Sequence, residues 1–259
     1  STISGISAPE TFNVMAGTYT EQITIPAITG ASSTNTITIK GLNDLTILSS
    51  SPTTANLPVM SLVSTSHLII ENLKIEVLGA QGFAVHFMNN ADSIVIRDCH
   101  IVTPPVADCY GIIASGSISA LSNAGIDAEY LTIEGNLIEG GKSSIFIRGA
   151  TTPLTTPSKK ANYGNGFIIE GNTMLDFTGN GVDLSYNSNI SFLNNELSSS
   201  QSTANGALRI WDAGDAINID ANKFYLASNV ANTRLVSLAM APANGPAGEV
   251  LEPIVFSNN

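Results

Sequence analysis

Charge is scarce in this sequence: of 259 residues only 12% are Asp, Glu, Lys or Arg, about half the usual share for a soluble domain. Lys and Arg together number ten, against twenty-one acidic residues, for a net charge of −11. Neutralising a phosphate backbone needs clustered basic side chains, and none are clustered here, which excludes a nucleic-acid partner. Anionic membrane surfaces are disfavoured for the same reason. No apolar run approaches the roughly eighteen residues of a membrane span, so membrane insertion is not expected, and no signal peptide is present. The only cysteines are Cys99 and Cys109. Both fall in a strand-like context, so they either pair or remain two buried thiols, and the redox compartment stays open. There is one tryptophan, Trp211. The chain opens at Ser1 without Met, so a processed or excised chain is expected.

What is present is apolar residues at 43%, 22 glycines and many Ser, Thr and Asn. A sizeable core is therefore expected, with polar positions filled by hydroxyls and amides. An acidic, Lys-poor surface is compatible with a neutral glycan or calcium as partner, and equally with charge that only maintains solubility.

The chain repeats itself. A short strand, a polar turn residue and a further apolar residue recur at 68–75, 94–101, 131–138, 167–174, 190–197 and 217–224, and again at 254–259. Taking the third residue of each copy as marker gives Ile70, Ile96, Ile133, Ile169, Phe192, Ile219 and Phe256, separated by 26, 37, 36, 23, 27 and 37 residues. Apolar residues alternate with period two over short runs rich in Ile, Val and Phe, which reads as strand. Steps that shrink and swell imply a fixed coil with loops inserted in it, a parallel β-solenoid whose coils bury their faces against one another.

A second strand follows each marker in phase: Gly82–Phe87, Ser144–Arg148, Gly181–Ser185 and Ala207–Trp211, with Gly111–Ile113 and Leu235–Leu238 fitting less cleanly. The third position after each marker holds Leu73, Cys99, Asn136, Asn172, Asn195, Asn222 and Asn259. Asparagine tolerates left-handed backbone and hydrogen-bonds neighbouring amides, so five stacked copies predict an asparagine ladder. The expected organisation is one all-β domain over 1–259 of about seven or eight coils. Residues 1–50 would form irregular first coils and 51–259 regular ones, with loops near 103–109 and 151–165. The end at Asn259, inside a repeat, leads to the expectation of further coils or domains in a longer parent chain.

The segment Thr11 to Ile25, followed by Pro26 and Gly30 to Ile39, resembles the start of right-handed parallel β-helix repeat proteins. These are large secreted or cell-surface bacterial proteins within the pectate-lyase-like superfamily. The resemblance implies a right-handed parallel β-helix and a secreted or surface location, and only weakly an enzyme. Gly17-Thr18-Tyr19-Thr20-Glu21 matches the Gly-x-Tyr-x-Glu signature of pectin methylesterases in that superfamily. Asp176-Phe177-Thr178-Gly179-Asn180 is one residue short of their Asp-Phe segment, Arg209-Ile210-Trp211 lacks their Pro, and their Gln-Asp pair is missing. Neither lyase nor polygalacturonase signatures occur.

Strand alternation selects a candidate site without the resemblance. With Ile145, Ile147, Val182, Leu184, Leu208 and Ile210 inward, Phe146, Arg148, Asp183, Ser185, Arg209 and Trp211 face outward on three coils about 4.8 Å apart. Tyr186 and Asp212 flank them. Aromatic faces beside guanidinium and carboxylate groups suit a polysaccharide or cell-surface glycan; the same residues also suit a plain ion-pair ladder. Gly179–Asp183 matches part of one calcium-binding nonapeptide, and Asp212, Asp215 and Asp220 form a candidate calcium loop without EF-hand spacing. His67, His86 and His100 lack metal-ligand spacing, and His86 reads as an ordinary outward histidine. The expected role is a non-catalytic adhesin, spacer or glycan-binding domain. The alternative is a lyase or glycoside hydrolase working through Arg148, Asp183, Arg209 and Asp212, with Lys142 and Arg97 as further basic candidates.

Overall fold

The structure, a computed structural model, describes residues 5–51, 57–106, 109–116, 128–149, 164–227, 233–240 and 254–259. Among these no helix occurs, and the strands pair in parallel, each coil lying on the next. The chain is a parallel β-helix. Most of the loop expected at 151–165 lies outside the described residues, and its last two residues, Gly164 and Asn165, already belong to the strand Gly164–Glu170. Cys109 likewise opens the strand Cys109–Ala114 rather than ending a loop.

Among the described residues three ladders stack from coil to coil; one runs from Tyr19 through Leu48, Ile75, Ile101, Ile138, Met174 and Leu197 to Phe224, and the other two position the candidate site. In the first of these two, the marker residues stack in register from Phe12 and Ile39 through Ile70, Ile96, Ile133, Ile169, Phe192 and Ile219 to Phe256. The six from Ile70 to Ile219 that carry the repeat are completely buried, each such side chain contributing about 1.5–3 kcal/mol. In the second ladder, Leu62, Phe87, Ala114, Ile147, Leu184 and Ile210 form one inward row. Met60, Val85, Ile112, Ile145, Val182 and Leu208 form another. The inward set expected from alternation is thus the observed one.

A left-handed residue bends each first-ladder strand. Asn72, Asp98, Gly135, Gly171, Asn194, Ala221 and Asn258 occupy equivalent places with φ between 52° and 65°. These lie one position before the stacked asparagines, which do not themselves take this conformation. The turn and the ladder are therefore made by different residues. Asn136 Nδ2 donates to Asn172 Oδ1 at 2.9 Å, Asn172 to Asn195 at 3.0 Å, Asn195 to Asn222 at 3.1 Å and Asn222 to Asn259 at 2.9 Å. Each amide nitrogen also donates to the marker carbonyl one coil earlier, as Asn172 does to Ile133. Cys99 occupies the same place with a thiol, its Sγ 3.7 Å from the Ile70 carbonyl. Buried polar groups are thereby satisfied along the axis rather than within a coil.

Candidate functional site

The outer face of the second ladder carries the candidate residues. One row runs Ser61, His86, Ile113, Phe146, Asp183, Arg209 and Ser237, each opposite the next. A neighbouring row takes Arg148, Ser185 and Trp211. The face is less open than alternation implies. Asp183 is 6% exposed and Ser185 is buried, while Phe146 packs edge-on against Tyr110 at 5.5 Å between ring centres. His86, expected as an outward surface residue, is completely buried. Outward direction and exposure are separate properties, and alternation reads only the first.

Asp183 is held from three sides. Arg209 Nη1 lies 3.4 Å from its Oδ2, Asn180 Nδ2 donates to Oδ2 at 3.1 Å, and the Ser185 hydroxyl donates to Oδ1 at 3.2 Å. Both arginines lie against aromatic faces. The Arg148 guanidinium carbon is 5.2 Å from the Tyr186 ring centre and that of Arg209 is 5.6 Å from Trp211, within cation–π range. The Nε of each arginine is buried without a hydrogen-bond partner. Trp211 is 47% exposed. Arg148, Asp183, Tyr186, Arg209 and Trp211 are thus brought together, with Asp212 directly after Trp211 at the corner, half-buried and left-handed.

The corner between the ladders has an unusual backbone. His67, Ser93, Tyr130, Gly166 and Asn189 all take positive φ where the chain enters the first ladder, and Tyr186 and Asp212 do so where it leaves the second. Glycine, Asn, Asp and Ser suit such positions, whereas a bulky aromatic is an outlier there, at a cost of about 1–3 kcal/mol. Tyr130 (φ 48°) and Tyr186 (φ 58°) are the two tyrosines that adopt it among the described residues. Gly166 has a left-handed φ of 76°, and a Cβ there would fall 2.7 Å from the Tyr130 ring, which would have to shift.

Other polar groups cluster elsewhere. His100 touches Asp44 through Nδ1 at 3.0 Å and Glu139 through Nε2 at 2.6 Å, an arrangement that only the register of separate coils could have revealed. Glu71 lies between Lys40 and Arg97, and the Lys40 ammonium holds its carboxyl below the usual range with help from Arg97. Asp220 accepts from the side chains of Ser257 and Asn258, which lower its pKa. Among the described residues no three His, Cys, Asp or Glu side chains converge as a metal site. Both cysteines are buried and not joined in a disulfide, which resolves the alternative left open by their spacing.

No protein-family model and no curated protein matches the chain. Among solved structures, ORF18 of Geobacillus virus E2 superposes with a TM-score of 0.53 at 13% identity, over 91% of this chain and 54% of that one. The chain therefore spans about half the length of that protein. An alginate lyase from Paenibacillus sp. str. FPU-7 gives a TM-score of 0.42 at 10% identity, over 96% of this chain and 92% of that one. A pectin methylesterase in complex with a hexasaccharide gives 0.37 at 10% identity, over 92% and 86%. Among the described residues no helix is long and apolar enough to cross a membrane. The likeness to the viral protein is one of fold, and that fold is the parallel β-helix.

Proposed function

We propose that this chain is a non-catalytic, glycan-binding β-helical domain of a secreted or surface-exposed protein. Its binding surface comprises Arg148, Tyr186, Arg209, Trp211 and Asp212, with Asp183 as an internal anchor. The observation that carries the reading is the pair of arginine–aromatic stacks on neighbouring coils. Each sets a partly exposed guanidinium against an aromatic ring, and hydroxyl-rich sugars are bound by ring stacking combined with hydrogen bonds from such groups.

The state of Asp183 favours binding over chemistry. Glycoside hydrolysis takes two carboxyl groups flanking the scissile bond, and general acid–base work needs a group within reach of substrate. Asp183 is covered and already accepts from Asn180 and Ser185. Its role is to hold Arg209 in place.

The test is a glycan-array and polysaccharide-depolymerisation screen, with and without calcium, on the wild type and Trp211→Ala. Saturable binding that Trp211→Ala abolishes is the expected result. Release of shortened or unsaturated sugars would overturn the non-catalytic reading in favour of a lyase or hydrolase. No binding in any condition would leave a structural spacer.

A further inference from the structure

A second row of exposed groups flanks the same corner. Tyr130 is 53% exposed, Asn189 is exposed and Asn165 half-buried. They come from three successive passes of the chain. Asn189 Nδ2 donates to Asn165 Oδ1 at 2.7 Å, and Asn165 Nδ2 donates to the Tyr130 hydroxyl at 3.3 Å. These bonds run one way. They leave the phenol hydrogen as a donor at one end and the Asn189 amide oxygen as an acceptor at the other, and the Tyr130 ring lies against Gly166.

This row and the Trp211 surface are joined by backbone. Asn189 is three residues after Tyr186, and Asn165 is opposite Ser188 in the ladder. Gly164 N, next to Asn165, donates to the Tyr186 carbonyl at 3.2 Å. Both rows place a tyrosine in the left-handed conformation. A tyrosine in that backbone is strained, and neither ring lies in the hydrophobic core. Strain of this sort is a reason to look for a surface role.

We propose that Tyr130, Asn165 and Asn189 form a second carbohydrate subsite across the corner from Trp211, so that a long oligosaccharide engages both and a short one only the first. The inference rests on the glycan-binding reading above. Tyr130 supplies a stacking face and a hydroxyl donor, and the amide pair supplies directional hydrogen bonds for ring hydroxyls.

Trp211 is the single tryptophan, so its fluorescence reports the first subsite alone. The experiment titrates wild type, Tyr130→Asn and Asn189→Ala with disaccharides and hexasaccharides of cellulose, chitin and polygalacturonate. Fluorescence and calorimetry are read in parallel, and the melting temperature of each variant is measured. The expected result is hexasaccharide binding about tenfold weaker in both variants, disaccharide binding unchanged, and Tyr130→Asn melting no lower than wild type because asparagine accepts the left-handed backbone. Equal hexasaccharide affinity in all three proteins would overturn the second subsite and leave the first intact. A fall in melting temperature in Tyr130→Asn with affinity unchanged would overturn it in favour of a structural tyrosine. Calorimetric binding that Tyr130→Asn removes, without any Trp211 response, would support the second subsite and overturn the first. No binding by either method would overturn both.

Discussion

The carboxylate of Asp183 and the guanidinium of Arg209 face each other across a single coil step, 3.4 Å between Oδ2 and Nη1, because their Cα atoms are register partners in a parallel ladder. Residues 26 positions apart in sequence are thus immediate neighbours in space, as side chains directly opposite each other in a sheet are. The pair is lopsided: the carboxylate is covered, while the arginine side chain is 38% exposed.

That lopsidedness sets the outcome of mutation. Asp183→Ala strips three partners at once and is expected to cost about 2 kcal/mol in urea unfolding. Arg209→Ala is expected to cost about 1 kcal/mol, since the arginine reaches solvent. Equal losses in the two variants would mean that Asp183 is not the anchor.

Unfolding midpoints also test the asparagine stack. Asn172→Ala removes the links to Asn136, Asn195 and the Ile133 carbonyl, and should lower stability by about 3 kcal/mol. Asn218→Ala, on the exposed face, should stay within about 0.5 kcal/mol. Cys99→Asn should add a rung, because its thiol already points at the carbonyl that an amide would bond. Its expected gain is about 1 kcal/mol.

His86 gives the fold a pH dependence. Its Nε2 meets the carbonyl and hydroxyl of Ser115 at 3.2 Å, and Nδ1 is buried without a partner. Burial pushes its pKa from 6.5 down to about 4, against a small opposing pull from Ser115. The folded state therefore keeps the neutral ring while the unfolded chain takes up a proton. The contribution is complete above about pH 6.5 and is lost progressively as pH falls towards 4, by up to about 3 kcal/mol. Urea unfolding at pH 7.5 and pH 4.5 should differ accordingly, and His86→Gln should narrow the difference. An unchanged difference in the variant would remove His86 as its source.

Burial also governs the thiols. Desolvation raises the Cys99 pKa to about 12, so the native protein should resist iodoacetamide at neutral pH, whereas the unfolded chain reacts at both cysteines. A reducing agent should leave the melting temperature unchanged, since no disulfide joins the two thiols. Rapid native labelling of Cys99 would contradict its burial.

The rows that stack were legible in the sequence because every inward residue must meet an inward residue of the next coil. Ile70 to Ile219 announce themselves by alternation and by the residue that follows. The closed character of the outer face was not legible: alternation gives the side on which His86 and Asp183 lie, but burial there depends on the rest of the chain. The anchoring of Asp183 was partly readable, since Asn180 and Ser185 are three and two residues away. The contact of His100 with Asp44 and Glu139 was hidden, because it depends on register across coils of unequal length. The left-handed bends were one residue out of place in the sequence reading, since the asparagines that stack are not those that turn.

The register of the second ladder, unshifted from Met60 to Trp211, has a consequence for anything that lies along it. Backbone pairing fixes the graduations of this surface at about 4.8 Å, so Arg148, Ser185 and Trp211 behave as marks on a rigid rule. Substitution can change what stands at a mark but not the interval between marks. A ligand with a different repeat length would have to skip graduations or bend, and discrimination by pitch would then be inherited from the scaffold rather than from any one side chain.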